Sequence, residues 1–361
     1  MREPSNQCLG IMGCGQLSQM LGEAANRLGY RVVYLCLDET PVVTGLGSIY
    51  GVDQFDAFLD ASDVITVERE SLPDDLLRRA SHVGLAPNYD ALVVLRERDT
   101  QKALLDQLDI PTSPWFLAQN SVELESGFAS LPGPYARCKR TLGGYDGGGQ
   151  WRVDSNSTSE IPEDAYPVIA EAEIAIDLEY AIVIGRDEQG QTTTYPMTEN
   201  VMRDGILIGS FVPSGIDAAL AEEAKGIAER LVGAMDYVGV LAIEFFLTEG
   251  KLIVNEIAPR VHNTGHWTIG AVGPDQFVQH VKCCMGDPVT PPRFTEAAAM
   301  VNLLDDKLPE TLPAGPIRAL IQTYGKGLRK GRKLGHMTLI GPDPDTVRSE
   351  AMDLINFLHD R

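Results

Sequence analysis

Two glutamates each sit inside a run of apolar, β-favouring residues: Glu244 in VLAIEFFL and Glu256 in LIVNEIAP. The Thr248-Glu249-Gly250 turn between the runs predicts a hairpin. It would put Glu244 and Glu256 on one face of adjacent strands, diagonally across the ladder. Two carboxylates on a mostly buried face repel each other and are costly unless a cation neutralises them. A magnesium ion with hard oxygen ligands, bridging the phosphates of a nucleotide, would meet that need. The plainer alternative is two independent glutamates that reach solvent.

Three further stretches carry candidate chemistry. Gly143–Gln150, GGYDGGGQ, contains five glycines and Asp146, so its backbone N–H groups are open to phosphate and the loop is able to close over a substrate. Lys139 just upstream offers a point charge; an ordinary surface loop is the alternative. Ala258–Thr268, APRVHNTGHWT, crowds Arg260, His262, Asn263 and His266 at the end of the Glu256 strand, which reads as a binding site. The turn GIMGCGQLSQM follows a strand and opens a helix whose N-terminus favours an anion. With Asp38 ending the next strand it resembles a dinucleotide fingerprint, but Ser18 replaces the third glycine. A tight turn without a ligand fits it equally.

The elements that must position these groups alternate at first. Leu9–Met12, Arg31–Leu37 and Asp63–Glu68 read as strands, and Leu17, Met20, Leu21, Ala24 and Leu28 recur at helical spacing before Gly29. That order predicts a parallel, doubly wound sheet. After PTSPW the texture changes to extended stretches at Ala136–Arg140, Val168–Ala175, Leu178–Gly185, Thr192–Met197 and Ile206–Val212. A helix capped by Asp217 follows, with Leu220, Ala224, Ile227, Leu231 and Met235 inward. After PVTPPRF come strand-like AAAMVNLL, Arg318–Tyr324 and His336–Ile340, then an amphipathic helix with Val347, Leu354, Ile355 and Leu358 inward.

The 361 residues suggest two or three packed units. Net charge is −21, which disfavours nucleic acid and anionic membrane as partners and leaves small phosphate ligands met by a local basic pocket. Solubility or adaptation to high salt would each explain the acidity. No apolar run approaches the roughly 20 residues of a membrane span, and MREPSNQ does not read as a secretory signal. The six cysteines, Cys8, Cys14, Cys36, Cys138, Cys283 and Cys284, show no zinc spacing and read as reduced, buried thiols of a cytoplasmic protein.

At these motifs the chain resembles the ATP-grasp superfamily, and within it the 5-(carboxyamino)imidazole ribonucleotide synthase family. DVITVE, RERDTQKALLDQLDIPTSPW, KRTLGGYDGGGQW, NEIAPRVHNTGHWT and GRKLGH carry the resemblance. It implies a Rossmann-like unit at 1–112, an ATP-grasp unit at 113–292 with a lid at 113–175, and a small β-rich unit at 293–361, an α/β and α+β arrangement. It implies that ATP activates bicarbonate as carboxyphosphate, which then carboxylates the exocyclic amine of aminoimidazole ribonucleotide, with Mg2+ required and a homodimer expected. A formate-using ribotide transformylase, a nicotinamide-dependent oxidoreductase and a catalytically idle nucleotide-binding protein are the rival readings.

Residue by residue, the resemblance gives ATP to Arg98, Lys139, Gly144, Tyr145, Asp146, Gly147, Gly148, Gly149, Gln150, Glu171, Ala172, Glu173, Ile174, Glu179, Asn255 and Glu256. Glu244 and Glu256 would hold the metal. Gln16, Leu17, Glu68, Arg260, His262, Asn263, Lys326 and Arg332 would surround the ribotide, with Arg260, His262, Tyr145 and Asp146 nearest the reaction. Three departures stand out: Gly148 where a basic residue is common, Met202 where histidine is frequent, and GQLSQM where GQLGRM is usual.

Overall fold

The computed structural model describes residues 6–37, 40–143, 148–304, 317–327 and 332–359. Strand and helix alternate first, as the spacing predicts. Strands β1 (Cys8–Met12), β2 (Arg31–Cys36), β3 (Ser48–Gly51) and β4 (Val64–Val67) form a parallel sheet in the order β3-β2-β1-β4. Helices α1 (Gln16–Arg27), α2 (Phe55–Ala61) and α3 (Asp74–Ser81) lie between and after them. All five residues of β1 are buried, as expected of an inner parallel strand covered on both faces.

The expectation of six reduced thiols is corrected here. Cys14 and Cys36 are joined in a disulfide with Cα atoms 5.1 Å apart, while Cys8, Cys138, Cys283 and Cys284 are free and buried. Parallel pairing sets Met12 beside Leu35, so Cys14, two residues past β1, and Cys36, the last residue of β2, meet within bridging distance. A separation of 22 residues matches no cysteine motif, so the pairing leaves no local signal.

Helices α4 (Tyr89–Arg96) and α5 (Arg98–Gln107) lead into the middle of the chain. The Asn88 side chain caps α4 by accepting from the Ala91 amide at 2.8 Å. Extended Glu97 separates the two helices, so Arg98 opens α5. A small antiparallel sheet follows, built from β5 (Trp115–Ala118), β6 (Tyr135–Arg140), β7 (Gln150–Asp154) and β8 (Val168–Ala172) in the order β5-β8-β6-β7, with α6 (Ser121–Gly127) after β5.

The large sheet has nine strands. β9 (Leu178–Arg186), β10 (Thr192–Thr194), β11 (Thr198–Arg203), β12 (Ile206–Val212), β13 (Gly239–Thr248) and β14 (Lys251–Ala258) come from the middle of the chain. β15 (Ala297–Leu304), β16 (Arg318–Thr323) and β17 (Lys333–Gly341) come from its end, and the order is β14-β13-β9-β11-β12-β15-β17-β16, with β10 on β9. The C-terminal strands therefore extend this sheet. Helix α7 (Ala218–Ala234) is capped by Asp217, which accepts from the Ala219 amide, and buries Ala224, Ile227, Ala228, Leu231 and Val232. Helix α8 (Gln276–Cys284) packs between β13 and α1, and α9 (Pro344–His359) covers β15 with Val347, Leu354, Ile355 and Leu358 inward. Strands β3, β5, β7 and β11 were not read from the sequence; in β11, TENVMR is polar and alternates weakly, yet it pairs with both β9 and β12 and carries Met202.

Candidate active site

The hairpin of β13 and β14 sets the carboxylate pair. Thr248 pairs with Lys251, so the connection is the two-residue turn Glu249-Gly250, both at positive φ (50° and 74°), and not the three-residue turn read from the sequence. Carried on in that register, Glu244 would face Asn255. A bulge between Glu244 and Phe245 shifts the pairing and places Glu244 directly opposite Glu256, correcting the diagonal expectation. Burial, then repulsion from Glu256 and Glu179, pushes the Glu244 carboxyl up to about 8. Asn255 Nδ2 reaches Glu244 at 3.5 Å. These hard oxygen donors, crowded and hard to ionise together, fit a divalent cation.

The turn after β14 delivers the basic groups. His262 Nε2 lies 3.9 Å from Glu244 Oε1, and its Nδ1 bonds the Thr264 hydroxyl at 2.9 Å. Burial, then Arg260 and Lys333, holds its pKa well below the ordinary value, so the imidazole is neutral. Gln276, fully buried on α8, accepts from the His262 amide at 2.9 Å and donates to its carbonyl at 2.8 Å. Arg260 forks onto Glu70, with Nε to Oε2 at 2.7 Å and Nη2 to Oε1 at 3.3 Å. Burial opposes charge on Glu70, and the guanidinium outweighs it, holding the carboxyl below the usual range. Both polar atoms of the Asn263 side chain are shielded from solvent and find no hydrogen-bond partner among the described residues, a state that a ligand would relieve. Glu70 and Gln276 were not found from the sequence, because neither belongs to a spacing pattern with its partner.

The small sheet carries the phosphate-side candidates. Lys139 Nζ meets Glu171 Oε2 at 2.6 Å. Arg98 donates to the carbonyls of Arg140 at 2.9 Å and Gly143 at 2.5 Å, tying α5 to the start of the glycine loop. Gly148 and Gly149 close the loop, the Gly149 carbonyl accepting from the Arg140 amide and Gln150 pairing with Lys139. Gly144, Tyr145, Asp146, Gly147 and Asp38 lie outside the described residues. The Ala172 and Glu173 amides bond the carbonyls of Pro114 and Tyr135, the Glu173 carboxylate is gripped by Arg137 and Arg152, and Ile174 is half-buried. Burial raises the Glu179 pKa against the pull of Lys139.

At the N-terminal turn the anion is supplied by the chain itself. Glu68, just past β4, accepts from the Gly15 amide at 2.7 Å, the Leu17 amide at 3.3 Å and the Ser18 hydroxyl at 2.8 Å. A Cβ at Gly15 would lie 2.2 Å from a Glu68 oxygen, so the close approach requires glycine. Ser18, which breaks the dinucleotide fingerprint, thus earns a hydrogen bond here. Gln16 Oε1 accepts from Lys326 Nζ across 310 residues of sequence. Arg332 donates to the Gly327 carbonyl at 3.2 Å. Met202 is partly buried against apolar neighbours.

Three family models match in succession along this frame: a ribonucleotide synthetase preATP-grasp domain at 7–96, an ATP-grasp domain at 103–277 and a phosphoribosylaminoimidazole carboxylase C-terminal domain at 298–350. The fold and the site define an enzyme of the ATP-grasp ligase class. The N5-carboxyaminoimidazole ribonucleotide synthase of Brucella melitensis is 37% identical, over 92% of this chain and 96% of its own. That of Escherichia coli is 35% identical over 94% and 92%. The crystal structure of the Thermus thermophilus enzyme superposes with a TM-score of 0.89 at 32% identity, covering 98% and 99%. A structure of the Aspergillus clavatus enzyme with ADP and 5-aminoimidazole ribonucleotide superposes at 0.86 with 26% identity, covering 98% and 99%. The chain belongs to the N5-carboxyaminoimidazole ribonucleotide synthase family. Among the described residues no helix is long and apolar enough to cross a membrane.

Proposed function

We propose that this protein uses ATP and bicarbonate to carboxylate the exocyclic amine of aminoimidazole ribonucleotide, a step of purine biosynthesis. A bicarbonate oxygen attacks the γ-phosphorus of ATP, releasing ADP and forming carboxyphosphate. The ribotide amine then attacks the carboxyl carbon, a proton leaves the nitrogen, and phosphate departs. The observation that carries this reading is the opposed Glu244–Glu256 pair beside neutral His262. Mg2+ held there would offset charge on the transferring phosphoryl group. Glu244 and Glu256 would hold it through their hard carboxylate oxygens.

Arg98 and Lys139 hold the phosphates, the segment Glu171–Ile174 lines the adenine, Glu179 takes the nucleotide ribose, and Asn255 braces the metal pair. The family resemblance gives the segment from Gly143 to Gln150 the role of protecting carboxyphosphate from water. Arg260, fixed by Glu70, orients the bicarbonate-derived carboxyl, and His262 faces the reacting amine. Gln16, Leu17, Asn263, Lys326 and Arg332 receive the ribotide, with Glu68 holding the turn that carries Gln16 and Leu17. A homodimer in the cytoplasm, where its substrates are made, is the setting this reading implies.

The deciding measurement is ADP release with Mg2+ and bicarbonate, with and without aminoimidazole ribonucleotide. The ribotide should stimulate it strongly. Turnover indifferent to the ribotide but raised by formate and glycinamide ribotide would transfer the protein to the transformylase reading.

A further inference from the structure

Buried ammonium groups are rare and costly, and α5 carries one at Lys102, only 3% exposed. Its Nζ lies against Glu171 Oε1 and against the Thr112 hydroxyl. Lys139 takes the other Glu171 oxygen. Strand register explains half of this arrangement. Lys139 of β6 pairs with Ile169 of β8, and Glu171 lies two residues further along the same face. Lys102 arrives from a different element and is held there by Thr112, whose hydroxyl donates to the Val254 carbonyl at 2.7 Å. Val254 lies two residues before Glu256 on β14. Lys102 thereby joins the carboxylate of the small sheet to the strand that bears the acidic pair.

The charges in this cluster do not cancel. Two ammonium groups share one carboxylate. Without Lys102, both oxygens of Glu171 would serve Lys139 alone and neutralise it. With Lys102 in place, one positive charge is left over, and Lys139 is the more exposed of the two ammonium groups, 14% against 4%. An anion reaching the sheet meets that surplus at Lys139.

We infer that Lys102 is a positioning residue for the nucleotide: by sharing Glu171 it leaves a net positive charge at the Lys139 end of the cluster, available to the phosphates. The inference rests on the nucleotide reading of this sheet. Lys102 itself touches no phosphate in this scheme and acts only through Glu171.

The test is calorimetry of ADP and of adenosine, which lacks the phosphates, with wild type, Lys102→Met, Lys102→Gln and Lys102→Arg. Lys102→Met and Lys102→Gln should each weaken ADP by about tenfold or more, the lower end for a lost charged contact, and leave adenosine within about threefold of wild type. The KM for ATP should rise while the KM for ribotide holds. Lys102→Arg should recover most of the ADP affinity. A merely structural role for Lys102 predicts adenosine weakened in step with ADP. Unchanged ADP affinity in the neutral variants, or equal losses for adenosine and ADP, overturns the inference and leaves the nucleotide reading standing. Failure of wild type to bind ADP overturns both. Should Lys102→Met not fold, Lys102→Gln decides alone: a loss confined to ADP supports the inference, and unchanged ADP affinity or an equal loss of adenosine overturns it.

Discussion

At the scale of single residues, the site is an exercise in charge held against its preference. Glu244 faces Glu256 only because one extra residue bulges the strand, and its carboxyl sits at about 8. A raised acid binds its proton more tightly folded than unfolded, so stability falls as pH rises from about 4.5 to about 8 and stays low above that. Glu244→Gln removes the repulsion. In metal-free protein at pH 8.5 the variant should melt higher than wild type, by a margin that shrinks towards pH 5. Mg2+ should raise the wild-type melting temperature and leave the variant nearly unmoved, while turnover falls by orders of magnitude. Equal Mg2+ responses would separate Glu244 from the metal. Arg260 and Glu70 show the opposite arrangement, a buried pair that satisfies itself and thereby fixes a guanidinium fork in place.

Among the elements, α8 does more than cover the sheet. His280 accepts from the Val240 amide of β13 at Nδ1, 2.9 Å, and bonds the Thr66 hydroxyl of β4 at Nε2, 2.8 Å, so one imidazole links two sheets. Burial drives its pKa down to about 4, and that of His336 to about 3. A base depressed in this way stabilises the fold fully above the unfolded value near 6.5 and loses that contribution as pH falls towards the folded value. Each such histidine should tilt unfolding free energy by about 1.4 kcal/mol per pH unit across that window. Urea denaturation between pH 6.5 and 5 should show the slope, and His280→Gln should flatten it by about one histidine's share. A variant with the wild-type slope would place the proton uptake elsewhere. Elements of this kind also show where sequence reading succeeds. The parallel sheet, α7 with its Asp217 cap and α9 with its apolar face were legible because period and capping are local. The opposition of Glu244 to Glu256 was half legible: the shared face follows from alternation, but the bulge that aligns them depends on packing. Glu70, Gln276 and the Cys14–Cys36 pair were illegible, since each meets a partner that only the folded topology supplies.

For the whole molecule, the end of the site proposed to take the ribotide is closed by parts of the chain that are far apart in sequence. The turn before α1 gives Gln16, and the loop between β16 and β17 gives Lys326, and the two side chains meet. β16 and β17 extend the large sheet that also carries β13 and β14, so one sheet spans from the carboxylate pair to the base of this loop. In a chain of net charge −21, the cluster Lys326, Arg329, Lys330, Arg332 and Lys333 is where a dianionic phosphate would be drawn. A guanidinium fork with a lysine point charge suits that ligand. Lys326→Ala and Arg332→Ala should each cost about 1.5–3 kcal/mol of ribotide binding, the range for hydrogen bonds to charged groups. The phosphate lies remote from the reacting amine, so the loss should appear as a KM for ribotide raised at least about tenfold, with kcat less affected. The KM for ATP should scarcely move, because Lys139 and Arg98 belong to the small sheet and α5. Ionic strength adds a second reading of the same contact: added salt should raise the ribotide KM of wild type more steeply than that of either variant. If both substitutions instead weaken ATP and spare the ribotide, the basic loop serves the nucleotide and the two ends of the cleft exchange roles.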